Sequence, residues 1–175
     1  MSPKALIIKR YVFLLLAVIC MIVIFGNSAE PATVSSQKSG GAADVVTPIV
    51  VPGYETHPDP VKVKEKQVVE RKLRNVAHAG EFAALGICAV GVAMTFELNE
   101  KKLLNMTFRG LAALVFCVVY AVLDEVHQIF VEGRTFELKD IMNDSLGAIV
   151  GVVLFTLAVW VLDALIRKIK NKNAN

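Results

Sequence analysis

Residues 120–151 read YAVLDEVHQIFVEGRTFELKDIMNDSLGAIVG, and this stretch decides the fold. An apolar helix ends in Asp124, Glu125, His127 and Gln128. A turn with Gly133 and Arg134 follows, and a second apolar helix opens with Asp140, Asn143 and Asp144. An ionisable side chain at mid-bilayer costs roughly 2.5–3.5 kcal/mol on insertion scales, so such residues mark function by default. Two clusters back to back across one tight loop point to a site.

The flanking sequence makes the setting a membrane. Of 175 residues, 55% are hydrophobic, and the mean hydropathy is +0.56. The apolar residues fall in runs long enough to cross about 30 Å of hydrocarbon. The first is 11–26, an N-terminal anchor (1–26) preceded by Lys4, Lys9 and Arg10. It also resembles a signal peptide. A cut after Ala29 would lack a small residue at −3, which favours an uncleaved anchor. Three more spans are predicted at about 76–96, 108–131 and 141–162. Trp160 suits an interfacial belt. The segment 27–60 is rich in Pro, Gly, Ser and Thr and reads as a flexible linker. In 61–76, Val61, Val68, Val69, Leu73 and Val76 recur at helical spacing among charges, predicting an amphipathic helix. The expected architecture is therefore an all-α membrane protein. Four transmembrane helices form a small bundle, with the amphipathic helix before the second span. The main domain covers 61–166, and 167–175 is a basic cytoplasmic tail.

The net charge of +3 is too small to argue for nucleic acid. The bases sit at the ends of apolar runs, which is topological placement. Cys20, Cys88 and Cys117 lie inside spans, where cysteine acts as a small apolar residue. No CxxC occurs, and no cofactor is predicted. Ten bases fall on the side of the termini and nine on the other. Because the first span usually dominates, both termini are expected in the cytoplasm.

Topology then gathers the polar residues. His78 and Glu81 open the second span on one helical face. Tyr120, Asp124, His127 and Gln128 share a face at the end of the third. Asp140, Asn143 and Asp144 start the fourth, and Gly147 and Gly151 permit close helix approach. The candidate pocket is His78, Glu81, Asp124, Glu125, Gln128, Arg134, Asp140 and Asn143, at the outer end. Each has a plainer role open to it. Asp140 could N-cap the fourth span. Gln128 and Asn143 could be interhelical hydrogen-bond glue. A metal variant would use His78, Glu81, Asp124 and His127 as ligand pairs from two helices.

Three blocks resemble the VanZ-like membrane family, named for a teicoplanin-resistance determinant. Arg74-Asn75-Val76-Ala77-His78-Ala79-Gly80-Glu81-Phe82 resembles that family's Arg-Lys-x-x-His-x-x-Glu-Tyr opening of a span. Asp124-Glu125-Val126-His127-Gln128 resembles its Asp-Glu-x-x-Gln block. Gly133-Arg134, Asp140, Asn143 and Gly147 resemble its Gly-Arg…Asp-x-x-Asn-x-x-x-Gly block. Together they cover about 70–155 and leave out 27–60. Asn75 stands where Lys is usual, which removes a cation, and Phe82 stands where Tyr is usual. The resemblance implies a multi-span protein of the bacterial cytoplasmic membrane, linked to the cell envelope or to glycopeptide resistance. It implies no reaction.

Three functions stay open from the residues. The first is a non-enzymatic protein in which Arg134 clamps an anionic cell-wall precursor or lipid headgroup. The second is an intramembrane hydrolase or transferase using the His/Asp/Glu cluster. The third is a structural scaffold. The lipid bilayer is the expected partner, and a homo-oligomer is left open.

Overall fold

The computed structural model describes residues 3–96 and 102–173, with side chains from 105 onward in the second stretch. Part of the polar loop expected at 97–107 and the ends of the chain lie outside the described residues. The helices are α1 Pro3–Ser28, α2 Ala32–Val50, α3 Asp59–Ala93, α4 Lys102–Gln128 and α5 Leu138–Asn173. A single 3₁₀ turn, Tyr54–Thr56, joins α2 to α3, and the described residues hold no strand. Four helices are long and apolar enough to cross a membrane: α1, α3, α4 from Asn105, and α5. Their outward faces carry exposed Leu15, Ile22, Val115, Leu123, Leu154 and Leu157. In hydrocarbon such faces need no cover, and helices satisfy their own backbone polar groups.

The expected amphipathic helix precedes the second span and runs into it without a break. Pro58 ends the preceding turn, Pro60 sits where a missing N–H costs little, and Asp59 complements the helix dipole. From there α3 runs unbroken for 35 residues. The basic residues 167–173 continue α5 beyond the predicted end of the fourth span.

The 27–60 stretch, expected as a flexible linker, instead contains α2. Its composition is poor in large apolar residues, but tertiary contact supplies what local sequence lacks. Ala43 and Thr47 are fully buried. Val46 and Val50 share a groove with Val69, Leu73 and Val76 of α3. Ser39 Oγ donates to Glu70 Oε1 at 3.2 Å, and Lys66 pairs with Asp44 at 2.5 Å. Pro48 is accommodated in the last turn of α2. Helices α2 and α3 thus form an antiparallel hairpin standing on the spans.

The tightest packing joins α3 to α5. A Cβ on Gly147 would lie 2.1 Å from the Ala79 carbonyl oxygen, and one on Gly151 would lie 2.0 Å from that of Ala83. On the other side, a Cβ on Gly86 would meet the Ala148 oxygen at 2.7 Å. Small residues on both helices let the backbones touch, as membrane interfaces favour. Around this seam lie buried Phe82, Leu85, Val90, Cys117, Ala148 and Val152.

Candidate functional site

All eight candidate residues gather at one end of the bundle, where α1 ends, α4 ends, α5 begins and α3 passes through. Asp124, Glu125 and Gln128 are 3%, 1% and 4% exposed. Gln128 Nε2 donates to Asp124 Oδ2 at 3.2 Å. Asn143 Nδ2 donates to the Asn75 carbonyl at 2.6 Å, tying α5 to α3. Glu125 Oε2 accepts from the backbone N–H of Glu137 at 2.9 Å, which pins the exit of the α4–α5 loop. That loop turns at Gly133 (φ 73°), a left-handed conformation that favours glycine. His78 Nδ1 lies 3.6 Å from Glu81 Oε2, an ion-pair distance when the imidazole is protonated. Asp140 sits inside the first turn of α5, which starts at Leu138, and so is not its N-cap.

A small cavity runs through this cluster, lined by Arg74, Asn75, His78, Gln128, Arg134, Asp140, Asn143 and Asp144. Its volume is about 10 Å³, room for about one water. Arg74, Asn75 and Asp144 were not among the eight candidates, although they lie within the matching sequence blocks. Burial lowers the pKa of Arg134, Arg74 adds to that effect, and Asp140, Glu125 and Asp124 oppose it. An arginine nevertheless keeps its proton.

The largest omission from the sequence reading is α1. Treated as an anchor, it is part of the site. Asn27 Nδ2 donates to Glu81 Oε1 at 2.5 Å, and Ser28 Oγ donates to Asp124 Oδ2 at 2.6 Å. Tyr120 donates to the Met21 carbonyl at 2.7 Å, and Phe25 stacks on His127 with ring centroids 4.3 Å apart. The α1–α2 joint also meets the α4–α5 loop, through Arg134 Nε to the Glu30 carbonyl (3.4 Å) and Ala32 N–H to that of Glu132 (3.1 Å).

The metal variant would draw on His78, Glu81, Asp124 and His127. Among the described residues, no group of three or more His, Cys, Asp or Glu is placed to hold a metal ion. Of its four residues, His127 is turned to Phe25, Glu81 to Asn27, and Asp124 to Ser28 and Gln128.

Among the described residues, seven buried polar atoms of this cluster lack a hydrogen-bond partner: His78 Nδ1 and Glu81 Oε2, which face each other at 3.6 Å, and Asp124 Oδ1, Glu125 Oε1, His127 Nε2, Arg134 Nη2 and Asp144 Oδ1. Each such atom costs on the order of 1–3 kcal/mol.

These features define a class: a small multi-pass membrane protein with a buried, incompletely paired polar cluster at one end of its bundle. The VanZ/LLP1 family model matches residues 13–160. The chain belongs to that family and is a membrane cell-envelope protein of VanZ type. The match takes in α1 and α2, beyond the 70–155 region where the sequence blocks lie. No curated protein and no solved structure matches the chain.

Proposed function

We propose that the polar cluster binds an anionic envelope ligand, the phosphate or carboxylate of a cell-wall precursor or lipid headgroup. The observation that carries this is Arg134, whose Nη2 is buried without an acceptor beside a cavity that Arg74 also lines. One anionic oxygen fits the space of the single water, and the rest of the ligand stays outside in the headgroup layer. A guanidinium suits such an oxygen because its donors form a rigid fork. His78, Gln128 and Asn143 line the same space and set the ligand's orientation. The protein then sits in the bacterial cytoplasmic membrane with both termini inside and the cluster in the outer leaflet. Its effect is on susceptibility to teicoplanin and related glycopeptides.

The test compares teicoplanin inhibitory concentrations in cells with and without the chain. Arg134→Ala is expected to return susceptibility to that of cells without it, while the amount in the membrane is unchanged. Full activity of the variant would sink the clamp. Asp124→Asn, which keeps the shape, separates this reading from a scaffold. A scaffold loses protein level and activity together.

One observation favours a hydrolase or transferase as a second reading. The water-sized cavity is lined by His78, Asp140 and Asp144, groups suited to moving a proton from a water. In that case Asp144→Asn stops release of a phosphate or headgroup from a lipid-linked substrate and leaves its binding intact.

A further inference from the structure

Three contacts join α1 to α4 at the polar end: Tyr120 to Met21, His127 to Phe25 and Ser28 to Asp124. Toward the opposite end the two helices part. The gap between them, floored by α3, is a groove of about 430 Å³ with an almost wholly apolar lining. Its floor is made of small residues: Ala17, Ala89 and Ala113 are buried there. Its walls are Phe96, Phe108 and Phe116, which stay largely exposed. Larger residues at the alanine positions would close it. Because the groove lies along membrane spans, the fluid at its mouth is lipid, and an extended hydrocarbon chain matches its shape and polarity.

Among the described residues, the lining holds one charged side chain, Arg109, and no acid. Arg109 Nη2 donates to the Phe96 carbonyl, beyond the C-terminal end of α3. Its Nε is buried and has no acceptor. A second arginine stands at the same helix end. Arg10 donates from Nε and Nη2 to Thr95 Oγ1 (3.1 Å) and the Thr95 carbonyl (3.0 Å), with its guanidinium 4.0 Å over the Phe96 ring. Its hydrogen bonds are used in holding α1 to α3, but its charge adds to the positive potential at the groove's end. A buried guanidinium donor without an acceptor, a second cation and an acyl-sized trough together specify an amphiphile with an anionic head.

We propose that this groove seats one acyl chain of an anionic phospholipid, whose phosphate accepts from Arg109 Nε. A zwitterionic lipid offers the same phosphate but brings an ammonium toward Arg10 and Arg109, so it binds more weakly. The site is independent of the polar cluster at the other end of the bundle.

The experiment is native mass spectrometry of the detergent-solubilised full chain, incubated with phosphatidylglycerol or phosphatidylcholine of equal chain length. The wild type is expected to retain one phosphatidylglycerol per chain, preferred about tenfold over phosphatidylcholine, because only the choline lipid brings a cation toward the arginines. Arg109→Gln brings the preference to about one, while thermal unfolding shows the fold intact. Ala112→Phe, at an exposed position in the groove wall, lowers retention of both lipids about tenfold by filling the trough. Arg134→Ala leaves the preference unchanged. Equal retention of both lipids by the wild type would overturn the proposal, as would an unchanged preference in Arg109→Gln. Loss of the preference in Arg134→Ala would place the lipid at the polar cluster and also overturn it. A lipid-free dimer that Ala112→Phe dissociates would show that a second copy fills the groove instead.

Discussion

A Cβ placed on Gly147 or Gly151 in α5 would collide with the backbone of α3, whereas one on Gly40 or Gly41 in α2 would meet nothing within 4 Å. Both helices pack on α3, and they do so by different means. In the α3–α5 seam the backbones themselves touch, so absence of a side chain is the packing device. In the α2–α3 hairpin, contact runs through side chains: Ala43, Val46 and Thr47 on one helix and Val69 and Leu73 on the other. There the two glycines only loosen α2, because glycine loses more conformational freedom on folding than other residues. The same residue type therefore predicts opposite responses to one added methyl group.

The largest effect belongs to the seam. Gly151→Ala must push α5 off α3, and overpacking of this kind costs about 1–3 kcal/mol or more. Thermal unfolding in detergent should show a clear drop, and the Asn143–Asn75 bond should be lost with it. An unchanged unfolding temperature would mean that the seam is looser than its geometry states. An intermediate effect comes from the α1 junction. Ser28→Ala leaves Asp124 with only Gln128 on its bonded oxygen and costs roughly 1–3 kcal/mol. It is read as faster proteolysis at the α1–α2 joint, and a protease-resistant variant would count against docking of α1 by side chains. The smallest effect has the opposite sign. Gly40→Ala and Gly41→Ala should each stabilise by about 0.4–1 kcal/mol, because the helical conformation is already compatible with alanine. A loss of stability in either would remove the contrast between the two interfaces.

Much of this was legible because membrane physics writes itself into local sequence. Four spans show as apolar runs, and carboxylates inside them need partners, so Glu81, Asp124 and Glu125 stood out. Antiparallel connectivity then sent them to one end. Long-range partnership was not legible. Asn27 and Ser28 follow an apolar run and look like a span end. What joins them to Glu81 and Asp124 is packing across 54 and 96 residues of chain. One signal was present: with four spans, the end of the first lies at the same membrane face as His78 and Gln128. Helix α2 was hidden for a related reason. Its order comes from α3, and composition measured along its own length does not contain that contribution.

The unbroken course of α3 has a mechanical consequence. At about 1.5 Å per residue, its 35 residues make a rod on the order of 50 Å long. Only part of that length is needed to cross the hydrocarbon. The rod passes the cavity at Arg74 and His78 and ends just before the Thr95 and Phe96 carbonyls that Arg10 and Arg109 grip. A load applied at the hairpin tip therefore travels along the rod with no joint to absorb it, and a tilt of the tip moves both ends of the bundle as one lever.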